Sequence, residues 1–288
     1  MDVRRAAAGG RWTRVAALSL AAAATAGALT SCGVEDRGAS YSGGKLEKVV
    51  PEDERRGRDL SVRAMGLIKG AESMRVGVEM AAPKGRQKIS LHMDRDGNCT
   101  GTFDGGPMRS GELIVIEGEA TYVRLSDESL DEMTKVARLR GPEGAARAQE
   151  RVALARGKYL KVAAGKSFGG SSAPVDSCDL DTFLSAMPGA PSPDNVVKAL
   201  PRTRRYGQDV IPLVEHEGGE GGDETSVYVA AHGKPYVLGL ETQEDGGTMK
   251  MRLSDYDEPV GAVAPDPART LDIAKLGGGS GGGSLFEV

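Results

Sequence analysis

Aromatic residues are scarce in this chain: Phe, Trp and Tyr together make up 4% of its 288 residues, and the single tryptophan is Trp12. A core built without large rings must rely on aliphatic side chains and on methionine, of which there are ten. Histidine is rarer still. His92, His216 and His232 are too scattered to show metal-ligand spacing, so no metal or other cofactor is implied. No stripe of Lys and Arg is present that could follow a phosphate backbone, which argues against nucleic acid as a partner. Nor is there an apolar run of about 20 residues, the length a membrane-crossing helix needs. What remains is an aliphatic, acidic chain with a formal net charge of −4.

Its most informative segment lies at the N-terminus. Arg4, Arg5, Arg11 and Arg14 precede a short apolar stretch over 15–28, and Leu29-Thr30-Ser31-Cys32 closes it. A basic segment, a hydrophobic segment and small residues before a cysteine resemble a bacterial lipoprotein signal with its lipobox. That resemblance implies cleavage before Cys32 and a diacylglycerol on its sulfur. The expected location is the outer face of the cytoplasmic membrane, with the Cys32 lipid as the membrane anchor. Arg4-Arg5 does not read as a twin-arginine signal, because Ala6-Ala7-Ala8 lacks the expected hydrophobic follow-up. Loss of residues 1–31 removes four arginines and Asp2, so the mature chain is more acidic than the whole. In an exported chain disulfides can persist. With Cys32 given to lipid, Cys99 and Cys178 remain as an even pair. They are expected to bridge, the alternative being two buried free thiols.

Residues 32–58 read as a disordered polar tether and 266–288 as a flexible Gly/Ser-rich tail, which leaves 59–265 as a single domain. Within it, Leu60, Ala64, Leu67, Ile68 and Ala71 recur at helical spacing, predicting a helix from about Asp59. Met74, Val76, Val78 and Met80 then alternate with polar residues, as do Ile89, Leu91 and Met93. Asp94-Arg95-Asp96-Gly97-Asn98 is turn chemistry, and its Gly comes too early for a calcium loop. Further strands are expected over 99–103, 113–116 and 121–125, a helical insert over 129–156 broken at Gly141-Pro142, and a short helix over 179–187. The last third returns to strands: 210–214, Val227 and Val229, Leu238 and Leu240, Met249 and Met251. Each strand pair has one apolar and one polar face. That pattern describes an antiparallel sheet whose apolar face needs a cover of helices.

Enzyme readings fail on context. Gly165-Lys166-Ser167-Phe168-Gly169 matches G-x-S-x-G, but Gly169-Gly170-Ser171-Ser172-Ala173-Pro174 follows where a nucleophile elbow needs a helix. A P-loop is excluded because Leu160 stands at its first glycine position. Glu215, Glu217, Glu220, Asp223 and Glu224 around two Gly-Gly pairs read as a solvated loop.

The order of lipobox, tether, leading helix, meander, helical insert and second meander resembles the LppX/LprA/LprF/LprG lipoproteins of actinobacteria, which share the half-barrel of the LolA/LolB carriers. Asp96-Gly97-Asn98-Cys99-Thr100-Gly101-Thr102, Gly157-Lys158-Tyr159-Leu160-Lys161-Val162 and Arg252-Leu253-Ser254-Asp255-Tyr256-Asp257-Glu258-Pro259-Val260 resemble an uncharacterised exported subgroup. The resemblance covers about 60–265 and carries no catalytic motif. It implies an α+β fold with a curved one-sided antiparallel sheet covered by helices, and a non-enzymatic carrier of a lipid or other hydrophobic ligand. Met74, Val76, Val78, Met80, Ile89, Leu91, Met93, Val227, Val229, Leu238, Leu240, Met249 and Met251 are the candidate ligand wall, and methionine thioethers suit irregular ligands. The alternative is an interaction or sensor module in which the same residues form a filled core. The sequence names no protein partner.

Overall fold

The computed structural model describes residues 50–276 except 84, 165–177, 188, 190, 192–194, 217–223 and 245–246. The signal over 1–31, Cys32, the Gly165–Gly169 motif, Glu217, Glu220, Asp223 and the Gly/Ser run of 277–284 lie outside the described residues. Helix α1 (Glu52–Lys69) opens the fold. It starts well before Asp59, so the end of the expected tether is helix. Pro51 sits at its N-cap, and Glu52, Asp53 and Glu54 fill the first turn, where carboxylates oppose the positive end of the helix dipole. These charges made the segment read as tether.

A five-stranded meander follows: β1 (Ser73–Ala82), β2 (Gly85–Asp94), β3 (Cys99–Asp104), β4 (Ser110–Ile116) and β5 (Ala120–Leu125). Helices α2 (Asp127–Leu139) and α3 (Pro142–Ala155) form the insert, separated at Gly141-Pro142 as the sequence predicts. Next come β6 (Tyr159–Ala163), α4 (Leu180–Ala186), β7 (Val196–Ala199) and β8 (Thr203–Arg205). A second meander of β9 (Gln208–His216), β10 (Glu224–Ala230), β11 (Val237–Glu244) and β12 (Gly247–Ser254) is followed by β13 (Thr270–Asp272). The strands form one sheet in the order β13-β6-β5-β4-β3-β2-β1-β12-β11-β10-β9-β7, with β8 paired to β9. β1 and β12 join the two meanders side by side, and β7 and β13 are separate ends, so the sheet is open. The fold class expected from the sequence, α+β with an open sheet and covering helices, is the one observed.

Two features correct the reading of 266–288 as tail. Thr270 to Asp272 pair in parallel with Tyr159 to Lys161, which also makes the sheet less than wholly antiparallel, and Ile273 is buried in the core. Leu271 and Ile273 are too short an apolar signal to announce a strand. Between β12 and β13 the chain crosses the outer face of the sheet as a strap. Thr100 Oγ1 donates to the Val260 carbonyl at 3.4 Å, and Asp257 N donates to the Ser73 carbonyl at 2.9 Å. Val260 and Tyr122 are buried outside the main core cluster, so the face opposite the helices is not uniformly wet.

The strap is pinned by Arg75, whose Nε lies 2.5 Å from Asp255 Oδ2. This hydrogen bond holds the Asp255 carboxyl below the usual carboxylate range. A depressed folded-state value contributes stability above the unfolded value, and that contribution is lost as pH falls through the acid range. Asp255→Asn is therefore expected to cost less than about 1 kcal/mol at neutral pH, because the pair is partly exposed. Urea denaturation at successively lower pH should show the gap from the parent closing. A gap independent of pH would assign the loss to packing instead.

Candidate ligand site

The apolar face of the sheet is assembled in rows, one residue per strand. Deepest is the row Met74, Met93, Cys99, Val115, set by pairing of β1 with β2, β2 with β3 and β3 with β4. The next row runs Leu253, Val76, Leu91, Gly101, Leu113, Val123, Leu160. Beyond it lies the row Leu213, Val227, Leu240, Met251, Val78, Ile89, Phe103. Outermost come Thr225, Thr242, Met249, Met80 and Gln87.

Burial falls along this series. Met74 and Met93 are 0% and 1% exposed, Val76 and Leu91 4% and 2%, and Met80 reaches 37%. Val78, Ile89, Val227 and Met251 are half-buried and pack against the core, which also includes Val229. Leu240 and Met249 are half-buried outside that cluster. Leu238 stands beside the irregularity that shifts the β10–β11 register at Tyr228/Val229, and Val237 is the buried core residue there. The thirteen candidate residues therefore divide. Five are fully buried, and the others lie at middle depth, at the margin or beside the bulge. Phe103 and Leu213, both buried, close this row at its two ends, and a single apolar residue among polar neighbours is a weak signal for Phe103.

One end of this face is shut. Cys99 and Cys178 form a disulfide with Cα atoms 5.6 Å apart. Arg95, in the turn after β2, donates from Nη2 to the Lys69 carbonyl at 2.6 Å and from Nε to the Ala71 carbonyl at 3.0 Å, and it pairs with Asp181 of α4. The turn holds itself together, with Asp94 accepting from Asn98 N at 2.8 Å and from Asn98 Nδ2 at 3.1 Å. Those bonds engage both carboxylate oxygens of Asp94. Ala64 and Ile68 of α1, Leu180 and Leu184 of α4, and Leu130 and Met133 of α2 complete the buried lid.

The other end opens. A cavity of about 660 Å³ lies between the β1–β2 turn, the β3–β4 loop and α2, lined by Met80, Arg86, Gln87, Asp104, Ser110 and Glu128 among others. Ser129, at the start of α2, is fully buried and within hydrogen-bond distance of Ser110 N and Oγ, at 2.9 and 2.8 Å, which fixes one side of this mouth. Thr242 Oγ1, in the outermost row, is buried without a hydrogen-bond partner among the described residues.

The remaining candidates are dispersed. His92 is buried beneath the polar face, with Nδ1 3.4 Å from Arg75 Nη2, and His232 is exposed beside Asp209. Among the described residues no group of three or more His, Cys, Asp or Glu could hold a metal ion, and no helix is long and apolar enough to cross a membrane.

Fold and face together define a class: an α+β domain whose open sheet carries an apolar face that is sealed at one end and unsealed at the other. No family model and no curated protein matches this chain. Among solved structures it is similar to the lipoprotein LppX of Mycobacterium tuberculosis, at 12% identity and a TM-score of 0.41, over 73% of this chain and 100% of that one. It is also similar to LprF of Mycobacterium bovis, at 12% identity and a TM-score of 0.44, over 73% and 97%. A LolA superfamily protein of Nitrosomonas europaea is similar at 10% identity and a TM-score of 0.24, over 75% and 97%. LppX, LprF and the LolA superfamily, to which the sequence shows a resemblance, are thus among the similar solved structures.

Proposed function

We propose that this protein is a non-enzymatic, extracytoplasmic lipoprotein that binds or carries a lipid or other hydrophobic ligand, held at the outer face of the cytoplasmic membrane by acylation of Cys32. One observation carries the reading: an in-register row of aliphatic side chains, Val227, Leu240, Met251, Val78 and Ile89, stays half-buried on the core face next to an open mouth. A finished core has little reason to leave five such residues short of contacts, whereas each methylene of a ligand buried there adds about 0.8 kcal/mol. Thr242 Oγ1 supplies a polar atom that a ligand's head can satisfy.

The test is native mass spectrometry with organic extraction on the chain from Gly33 onward, exported through a cleavable signal and purified without detergent. The expected result is a co-purified hydrophobic species in stoichiometric amount, lost in Ile89→Asp while the fold is retained. A clean apo mass, together with no uptake of a fluorescent fatty-acyl probe, would sink the carrier reading. It would favour the interaction module with a filled core.

A further inference from the structure

The polar face of the sheet holds a second depression, about 550 Å³ and open to solvent, at the seam of β1, β2, β11 and β12. Its floor is low because two glycines flank Arg252 in register: Gly77 on β1 and Gly239 on β11. The two positions are used differently. At Gly239 a Cβ would lie 2.3 Å from the Tyr206 hydroxyl, so the tyrosine fills that space. At Gly77 the nearest atoms to a Cβ are 3.8 Å away, so the space is left open, with Ser90 beside it.

The walls are charged, and most of the charges are matched. Arg75 pairs with Asp255, Lys88 pairs with Glu79 at 2.7 Å, and Glu241 accepts from Tyr206 and Tyr228 hydroxyls at 3.5 and 3.4 Å. Lys250 and Arg252 have no carboxylate within ion-pair distance among the described residues, although Lys250 stands in register between Glu79 and Glu241. They share one face of β12 at positions i and i+2, both lining the depression. Arg252 is steadied instead by Tyr206, whose ring centroid lies 5.6 Å from the guanidinium. Tyr206 is placed at cost. It occupies a two-residue turn between β8 and β9 at φ 51°, a left-handed conformation disfavoured for a bulky side chain, and its ring packs edge-on against Tyr228 with centroids 5.8 Å apart.

We propose that this depression is a phosphoryl-binding site, in which Lys250 and Arg252 receive the anion above Gly77 and Ser90. Four cationic and three anionic side chains line the space, so Lys250 and Arg252 leave it with a net charge of +1 in an otherwise acidic chain, and a phosphate ester is anionic at neutral pH. Its charged residues and glycines lie on the opposite strand face from the apolar row, although Val78, Ile89 and Met251 of that row also line the depression.

Phosphoryl groups come from soluble phosphate esters or from lipid headgroups, and two acyl-free probes separate these sources. The full-length chain, purified in nonionic detergent, is titrated with glucose 6-phosphate and with glycerophosphoglycerol, the deacylated headgroup of phosphatidylglycerol, at about 50 mM salt, where screening is modest. Saturable binding of glucose 6-phosphate in preference assigns the site to soluble monoesters, and the reverse preference assigns it to headgroups. Either should weaken at least about tenfold in Arg252→Glu and in Lys250→Glu, and stay unchanged in Lys135→Glu on α2. Gly77→Val keeps every charge and fills the floor, so it should abolish binding with the melting curve intact. Absence of saturable binding by both probes, or binding indifferent to all three groove variants, would overturn the assignment.

Discussion

Replacing Cys99 and Cys178 together with alanine is expected to lower the unfolding free energy by about 4 kcal/mol. The bridge spans 79 residues of sequence, and a cross-link closing so long a loop removes much of the freedom of the unfolded chain. Both cysteines are buried, Cys99 fully, in the row that continues Met74 and Met93, so the change also leaves small voids. A loss of this size is a large part of the 5–15 kcal/mol that holds a typical domain together. Denaturant unfolding of the oxidised, reduced and double-alanine proteins checks it. Both the reduced and the alanine forms should be less stable than the oxidised one, the alanine form somewhat more so, and an unmoved midpoint would show that packing alone secures this end of the domain.

Gly101→Val is expected to prevent folding, whereas the same change at Gly77 should cost little. Both glycines lie inside strands, and nothing in their local sequence separates them. Gly101 sits in the fully buried row between Leu91 and Leu113. A Cβ there would lie 2.1 Å from the Ser90 carbonyl oxygen and 2.8 Å from Leu91 Cδ2. Backbone cannot retreat from a backbone clash without prying β2 from β3, which would break the register of the first meander and the Met93–Cys99 pairing with it. Loss of more than about 4 kcal/mol is the expected consequence, at the severe end for a single substitution. At Gly77 an added Cβ makes only ordinary van der Waals contacts, the nearest at 3.8 Å, and a β-branched residue suits a strand. Thermal melts of the two variants decide the matter. Equal behaviour would refute the account of strand packing given above.

Much of this architecture is legible from alternation alone. Met74, Val76, Val78 and Met80 on β1, or Met249, Met251 and Leu253 on β12, show a face because a strand turns each side chain by half a revolution. The breaks at Gly141-Pro142 and at Asp94–Asn98 are equally plain, because glycine, proline and short polar side chains carry turn geometry in themselves. Depth is another matter. The four β1 residues look equivalent in sequence, yet they run from 0% to 37% exposed, because burial depends on which helix lies above and no strand records that. β8 escaped notice since Thr203, Arg204 and Arg205 are all exposed, and β13 since its parallel partner lies more than a hundred residues away. Leu238 was placed on the ligand wall by strict alternation, and the bulge at β10–β11 moved the core position to Val237. Among the candidate groove residues, nothing in the sequence joins Gly77 to Gly239, and their common neighbour Arg252 emerges only from the pairing.

The pairing of β1 with β12 has a consequence for how the molecule assembles in time. Arg75 and Asp255, at that seam, are 180 residues apart, although the seam lies in the middle of the sheet rather than at its rim. Each meander can zip from local hairpins within microseconds, but joining them requires closure of nearly the whole domain, and contacts so distant in sequence slow folding steeply. Until then both halves present a long unpaired strand edge, rich in methionine and valine on one face, to any neighbouring chain. The domain is therefore most vulnerable to wrong pairing between synthesis of its first hairpin and arrival of its last.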